Sequence, residues 1–229
     1  MADLLDVDIE RQSLPATSFA SAEAIARVGL VLLSTDAATE ADFARLVSGD
    51  RVRVHANRIT FENPTTAESL AATGPRLAAA AADLLPGADF EAIYFSCTSA
   101  SAVLGESGVA AAVHTAKPGT AVVTPISAVN AALRALGARR ISILAPYSRA
   151  VTARTVAPFA AAGFEIDRIT CWGLEDDREM GRVLPGVIVE QAVEAIDPAA
   201  DALFISCTAL RSAEVAAVVE ARIDRPVVT

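Results

Sequence analysis

The stretch AIYFSCTSAS, residues 92–101, decides the fold, because it returns as ALFISCTALRS at residues 202–212. Each copy opens with a short apolar run that does not alternate with polar residues. Such a run predicts a strand buried on both faces, as in parallel sheets covered by helices. Each run then ends in Ser-Cys-Thr. Moving outward, RVGLVLLS at 27–34 resembles RRISILAPY at 139–147, and GTAVVTP at 119–125 matches DRPVVT at 224–229. The three matches come in the same order and at similar spacing. Apolar strands resemble one another by chance, but Ser-Cys-Thr recurring at corresponding places favours a duplication.

On this reading residues 1–24 are a polar, acidic N-terminal arm, residues 25–137 the first half and residues 138–229 the second. A helix over Ser127–Leu136 joins them. Strands are expected at Val28–Leu33, Val52–Ala56, Ala92–Ser96, Ala121–Val123, Ile141–Leu144, Glu165–Thr170, Leu203–Ser206 and Val227–Val228. Helix-length segments such as Thr66–Leu85 and Asp177–Ala195 separate them. The fold class is α/β: two pseudo-twofold-related parallel-sheet halves, Rossmann-like or flavodoxin-like, with the active site between them. The duplication also predicts a helix after Thr229, equivalent to the one after Pro125, so a C-terminal helix is expected beyond the sequence.

Composition narrows the function. The 229 residues are 53% hydrophobic and 21% charged, with a net charge of −9. The acidic balance argues against nucleic acid and anionic membranes as partners, and no apolar run is long enough to span a bilayer. Three cysteines, Cys97, Cys171 and Cys207, give no disulfide framework and fit a reducing cytoplasm. His55 and His114 lack the spacing of a metal site, so no metal is expected. Neither GxGxxG nor GxxxxGK[ST] occurs, so no nucleotide cofactor is expected.

The chemistry centres on the repeated motif. In doubly wound sheets ligands bind beyond the carboxyl ends of the strands, where Cys97 and Cys207 both fall. Each thiol is expected beside the N-terminus of the following helix. There the dipole and free N–H groups favour the thiolate and lower its pKa from about 8.5. The N–H groups and the hydroxyls of Thr98, Ser99 and Thr208 suit a substrate carboxylate. Two thiols facing one carbon suit two-sided chemistry: one removes a proton or adds to a double bond, and the other gives a proton on the opposite face. A lone buried cysteine is ordinarily a small core hydrophobe; two in matched motifs make the functional reading the stronger one. Cys171 has no such partner and is read as packing, as are His55, His114 and Trp172. The acidic run Glu175–Asp177 is read as a solvated helix start.

At these residues the sequence resembles the aspartate/glutamate racemase superfamily, and within it the maleate cis–trans isomerase branch, which includes the arylmalonate decarboxylases. The resemblance runs from Val28 to Thr229. It rests on SCTS at 96–99, APY at 145–147, GLEDDREMGR at 173–182, the second SCT and the terminal PVVT. It implies a cofactor-independent isomerase or racemase acting on a small carboxylic or amino acid, assembled as a homodimer or tetramer. Cys97 would be the nucleophile, Cys207 would manage the proton, and Tyr147 would donate a hydrogen bond to a substrate carboxylate. Ser34, Thr35 and Ala209 are further candidate substrate-binding residues. Arylmalonate decarboxylases keep only the second cysteine, so two cysteines argue against that activity. A lyase or decarboxylase on the same scaffold, and a non-catalytic metabolite-binding protein, are the alternatives.

Two departures bear on the substrate. Asp36 and Asp177 stand where maleate isomerases carry Asn. An ionised Asp cannot donate to a carboxylate and repels one, so the pair favours a substrate bearing an amino group. Both residues are also good helix caps. LLSTDAATE at 32–40 and GLEDDREM at 173–180 resemble the ectoine-utilisation proteins of this branch, which implies a role in breaking down ectoine or its diamino-acid derivatives.

Overall fold

The computed structural model describes residues 11–18, 26–47 and 52–229. Of the expected arm, residues 1–10 and 19–24 lie outside the described residues, and residues 11–18 include one 3-10 turn at Ala16–Ser18. The eight expected strands are all present: β1 (Ala26–Leu33), β2 (Val52–Ile59), β3 (Ala92–Ser96), β4 (Ala121–Val123), β5 (Arg140–Tyr147), β6 (Glu165–Leu174), β7 (Ala202–Ile205) and β8 (Val227–Val228). They form two four-stranded sheets of the same order, β2-β1-β3-β4 and β6-β5-β7-β8. Every pairing is parallel.

Parallel neighbours need crossover connections, and helices supply them. They are α1 (Thr39–Leu46), α2 (Ala67–Ala71), α3 (Gly74–Asp83), α4 (Thr98–Leu104), α5 (Glu106–His114), α6 (Pro125–Ala135), α7 (Arg149–Ala161), α8 (Asp177–Met180), α9 (Pro185–Ala195) and α10 (Ala216–Ile223). Two expected long helices are each broken. Thr66–Leu85 divides at Thr73, and Pro75 lies in the first turn of α3. Asp177–Ala195 divides likewise, with Pro185 opening α9. A proline lacks the N–H and clashes with the preceding turn, so it starts a helix rather than continuing one. The strands β2, β5 and β6 run longer than expected, and His55 lies inside β2 rather than at its end.

Two features position the site. The chain steps outward from β1 to β2 on one side and from β3 to β4 on the other, so the β1–β3 boundary is a topological switch point, as is β5–β7. The motif cysteines follow β3 and β7, at those boundaries. The core is also shared: one buried cluster joins Val31, Phe95 and Cys97 of the first sheet's surroundings to Leu144, Tyr147, Val151 and Cys207 of the second. A further cluster sets Ile126, Val129 and Leu133 of α6 against Ile141, Ile143 and Phe204, so the helix after the first sheet covers the second.

Candidate active site

Cys97 is the N-cap of α4. Its extended backbone (φ −158°) aims Sγ at the first turn, where the Ala100 N–H donates to it at 3.4 Å and Ser99 Oγ lies 3.6 Å away. This is the geometry expected from the motif. Cys207 differs. No α-helix follows it directly: residues 208–210 turn, a 3-10 segment covers Arg211–Glu214, and α10 begins only at Ala216. Its φ is +100°, a left-handed conformation that costs an L-residue of this kind about 1–3 kcal/mol and persists only where the surroundings enforce it. The Ala209 N–H and the Tyr147 hydroxyl reach its sulfur instead, and Met180 Sδ lies 4.0 Å away.

The two thiols line one small cavity with Leu33, Asp36, Ser96, Thr98, Ser99, Tyr147, Asp177, Thr208 and Ala209. A larger cavity, lined among others by Phe43, Tyr94, Leu210 and Ala213, reaches Cys207 and Thr208 from the side of α1. Among the described residues no Lys, Arg or His lines the thiol cavity.

Electrostatics reverse one expectation. Both thiols are pushed up, Cys97 to about 12 and Cys207 further, rather than down. Burial is the largest cause for each, and the Asp177 carboxylate is the next. The N–H groups do favour the thiolates, but one or two such donors do not offset removal of a charge from water. At neutral pH both sulfurs are therefore held as thiols. Tyr147 is likewise held above its ordinary value by burial and by the two cysteines, and it stays a donor, its oxygen 3.4 Å from Ser206 Oγ.

The two acidic residues have separate jobs. Asp36 opens α1: Oδ1 accepts from the N–H groups of Ala38 (3.0 Å) and Thr39 (2.9 Å), while Oδ2 accepts from Thr39 Oγ1 (2.7 Å) and Ser96 Oγ (3.2 Å). Both oxygens are engaged, so Asp36 shapes the wall of the cavity rather than offering a free carboxylate. Asp177 is not a cap; Asp176 caps α8. Asp177 Oδ2 accepts from Thr35 Oγ1 at 2.5 Å. Burial raises its pKa, the Thr35 hydrogen bond opposes that rise, and nearby Asp36 adds to it. The run Glu175–Asp177 is thus only partly a solvated helix start, because its last member turns inward.

Several expected ligands are placed otherwise. Ser34 Oγ accepts from the Phe61 N–H at 3.1 Å and does not line the cavity. Thr35 reaches the cavity only through Asp177. Thr208 Oγ1 donates to Ser96 O at 3.3 Å, a tie between the two sheets' ends rather than a free hydroxyl. Of Thr98, Ser99, Tyr147 and Ala209, all line the cavity. Sequence reasoning missed Ser96, Met180 and Asn63. Ser96 belongs to the motif and was legible there; Met180, at the end of α8, and Asn63, on the loop after β2, are brought in from segments with no match to the motif. Cys171 is exposed, His114 Nε2 pairs with Thr120 O at 2.9 Å, and the His55 ring packs edge-on to Phe90. Among the described residues no three His, Cys, Asp or Glu side chains cluster to hold a metal, and no helix is long and apolar enough to cross a membrane.

Comparison with known proteins shows the same architecture. The arylmalonate decarboxylase family matches residues 28–229. A maleate isomerase of Nocardia farcinica is 31% identical over 196 residues, covering 80% of this chain and 76% of the relative. A solved mutant of the Nocardia farcinica maleate cis–trans isomerase, with a covalently bound succinylcysteine intermediate, superposes with a TM-score of 0.79 at 27% identity, over 89% of this chain and 87% of that one. A liganded double mutant of arylmalonate decarboxylase gives 0.78 at 26% identity, over 89% and 86%.

Proposed function

The chain belongs to the arylmalonate decarboxylase family, and from that premise we propose that it is a cofactor-independent isomerase in which Cys97 and Cys207 act as a pair on a small amino-bearing carboxylic acid. One observation carries the reading: thiols from corresponding strand ends of the two sheets share a single cavity with Asp177, and no cationic side chain among the described residues lines it. The extensive likeness to maleate isomerases supports isomerisation over decarboxylation.

For an unsaturated substrate, Cys97 gives its proton to solvent as the substrate binds, and the thiolate sulfur then forms a bond to one alkene carbon. The electron pair moves to the neighbouring carbon, which takes the proton of Cys207. The new single bond rotates. Cys207 then takes the proton back, and the C–S bond breaks with its electrons returning to sulfur. For an α-amino acid the same pair exchanges the α-proton from opposite faces. A substrate carboxylate fits the N–H groups at the start of α4 and in the turn after Cys207, with the Tyr147 hydroxyl as a further donor. An ammonium group fits Asp177. That cation also supplies the positive charge the cavity lacks, and so lowers the thiols' pKa values when substrate arrives. The ectoine-utilisation resemblance of residues 32–40 and 173–180 directs the choice of substrate to diamino acids derived from ectoine. The free thiols suit a reducing compartment, and we take the protein to act in the cytoplasm as a homodimer or tetramer.

The test is a panel of diamino acids, aspartate-like compounds and maleate, followed by isomer composition and by deuterium uptake from solvent. An amino acid should be the preferred substrate, and C97S and C207S should each lose at least about 100-fold in turnover. Preference for maleate would overturn the ammonium assignment to Asp177. Undiminished turnover by C97S would overturn the nucleophile and favour a decarboxylase using Cys207 alone.

A further inference from the structure

We infer that Asn63, on the loop between β2 and α2, is a positioning residue that fixes the Asp177 carboxylate in the thiol cavity from across the two halves. Asn63 does not line that cavity. Its Oδ1 accepts the Asp177 N–H at 3.0 Å, and its Nδ2 donates to Asp176 Oδ1 at 2.7 Å. The neighbouring Thr65 N–H donates to Glu175 O at 2.7 Å. A backbone donor and a carboxylate acceptor are thus satisfied by one amide, and only one orientation of that amide serves both.

The need for such a tie follows from the element it holds. α8 spans only Asp177–Met180, far too short to keep its own conformation. It nevertheless supplies two groups beside Cys207: the Asp177 carboxylate, and Met180, whose Sδ lies 4.0 Å from the Cys207 sulfur. Asp177 is held at its side chain by Thr35 and at its backbone by Asn63. Without the backbone tie the start of α8 is held less firmly, and the carboxylate shifts from its place in the thiol cavity. The inference rests on the reading of this cavity as the active site, and the experiment below tests the two separately.

Among the described residues, the charged and titratable groups facing the thiols are Asp177 from α8, Asp36 from the β1–α1 loop, Asp42 from α1 on the side of Cys207, Tyr147 from β5, Tyr94 from β3, and the thiols themselves. Iodoacetamide labelling of Cys97 and Cys207 across pH, read by peptide mass spectrometry, reports this field without any substrate. In the full chain, D177N should move both profiles to lower pH by about one unit, a tenfold rise in labelling at a fixed pH below both. N63A should move them the same way by a smaller amount, and should add nothing in the D177N background. A shift of equal size in both backgrounds would mean that N63A merely loosens the cavity, and would overturn the inference. So would an unmoved N63A profile beside a shifted D177N profile. Profiles unmoved by D177N would instead overturn the placing of Asp177 with the thiols. If N63A does not fold, N63S takes its place in the same comparison.

Discussion

Cys97 and Cys207 hold matching places in the repeat, yet the burial that governs their chemistry is not visible in the motif. Ser-Cys-Thr after an apolar run made the strand end and, for Cys97, the helix N-terminus legible. It also suggested ionised thiols, because the N–H groups are local to the motif. The opposing effects come from the packed second half and from Asp177, which lies 80 residues from Cys97 in the sequence, so no local reading weighs them. The consequence is measurable. At neutral pH exposed Cys171 should be alkylated readily, while Cys97 and Cys207 react slowly until the pH is strongly alkaline. The sign for stability follows from linkage. Unfolded thiols ionise near 8.5, whereas folded Cys97 ionises near 12. Their contribution to stability is therefore complete below about 8.5 and is lost as pH rises from there through about 12. Denaturant midpoints taken at pH 7, 8.5 and 10 should fall over the last interval. The fall should be smaller in C97S; an unchanged fall would show that Cys97 is not the group responsible.

At the scale of elements, strands were easier to read than helices. Buried parallel strands announce themselves as apolar runs bounded by polar turns, and all eight appear within a few residues of their expected places. Helices were overextended because periodicity continues through Pro75 and Pro185 while the backbone cannot. The identity of what packs beneath a strand was not legible at all. Gly29, inside β1, shows why it matters. A Cβ there would lie 2.9 Å from Leu84 Cδ1 and 3.0 Å from Ile93 Cγ1. Both neighbours are fully enclosed, Leu84 at the end of α3 and Ile93 in β3. The glycine is thus a contact requirement between sheet and helix. G29A should destabilise by about 1–3 kcal/mol, as overpacking does, in a urea titration. The double variant G29A/L84V, with a methylene removed opposite, should recover part of the loss. A stable G29A would show that α3 shifts easily against β1.

At the scale of the molecule, the internal repeat foretold two sheets of like topology meeting at their cysteines, and the order β2-β1-β3-β4 recurs in the second half. It did not foretell how firmly they meet. The ties are side chains distant in sequence: Thr35 to Asp177, Asn63 to Asp176 and Asp177, Thr208 to the Ser96 carbonyl. α4 lies against α7, and α6 crosses from the first sheet to cover the second. Only the Thr208–Ser96 tie joins the two copies of the repeated motif; the other pairs lie outside it, so a duplication alone leaves them unread. They also bear on cooperativity. Two halves that merely touched would unfold in two steps. Here the buried cluster that holds both thiols draws on both sheets, so loss of either half exposes the other's core. The chain should therefore unfold in one transition. Fluorescence of the single Trp172, on β6 of the second half, reports one side. Alkylation of Cys97, in denaturant pulses too short to label the folded state, reports the other. Both should give the same midpoint. Exposure of Cys97 before any change at Trp172 would mean that the first half opens alone, and that the thiol cavity is not held together by the fold.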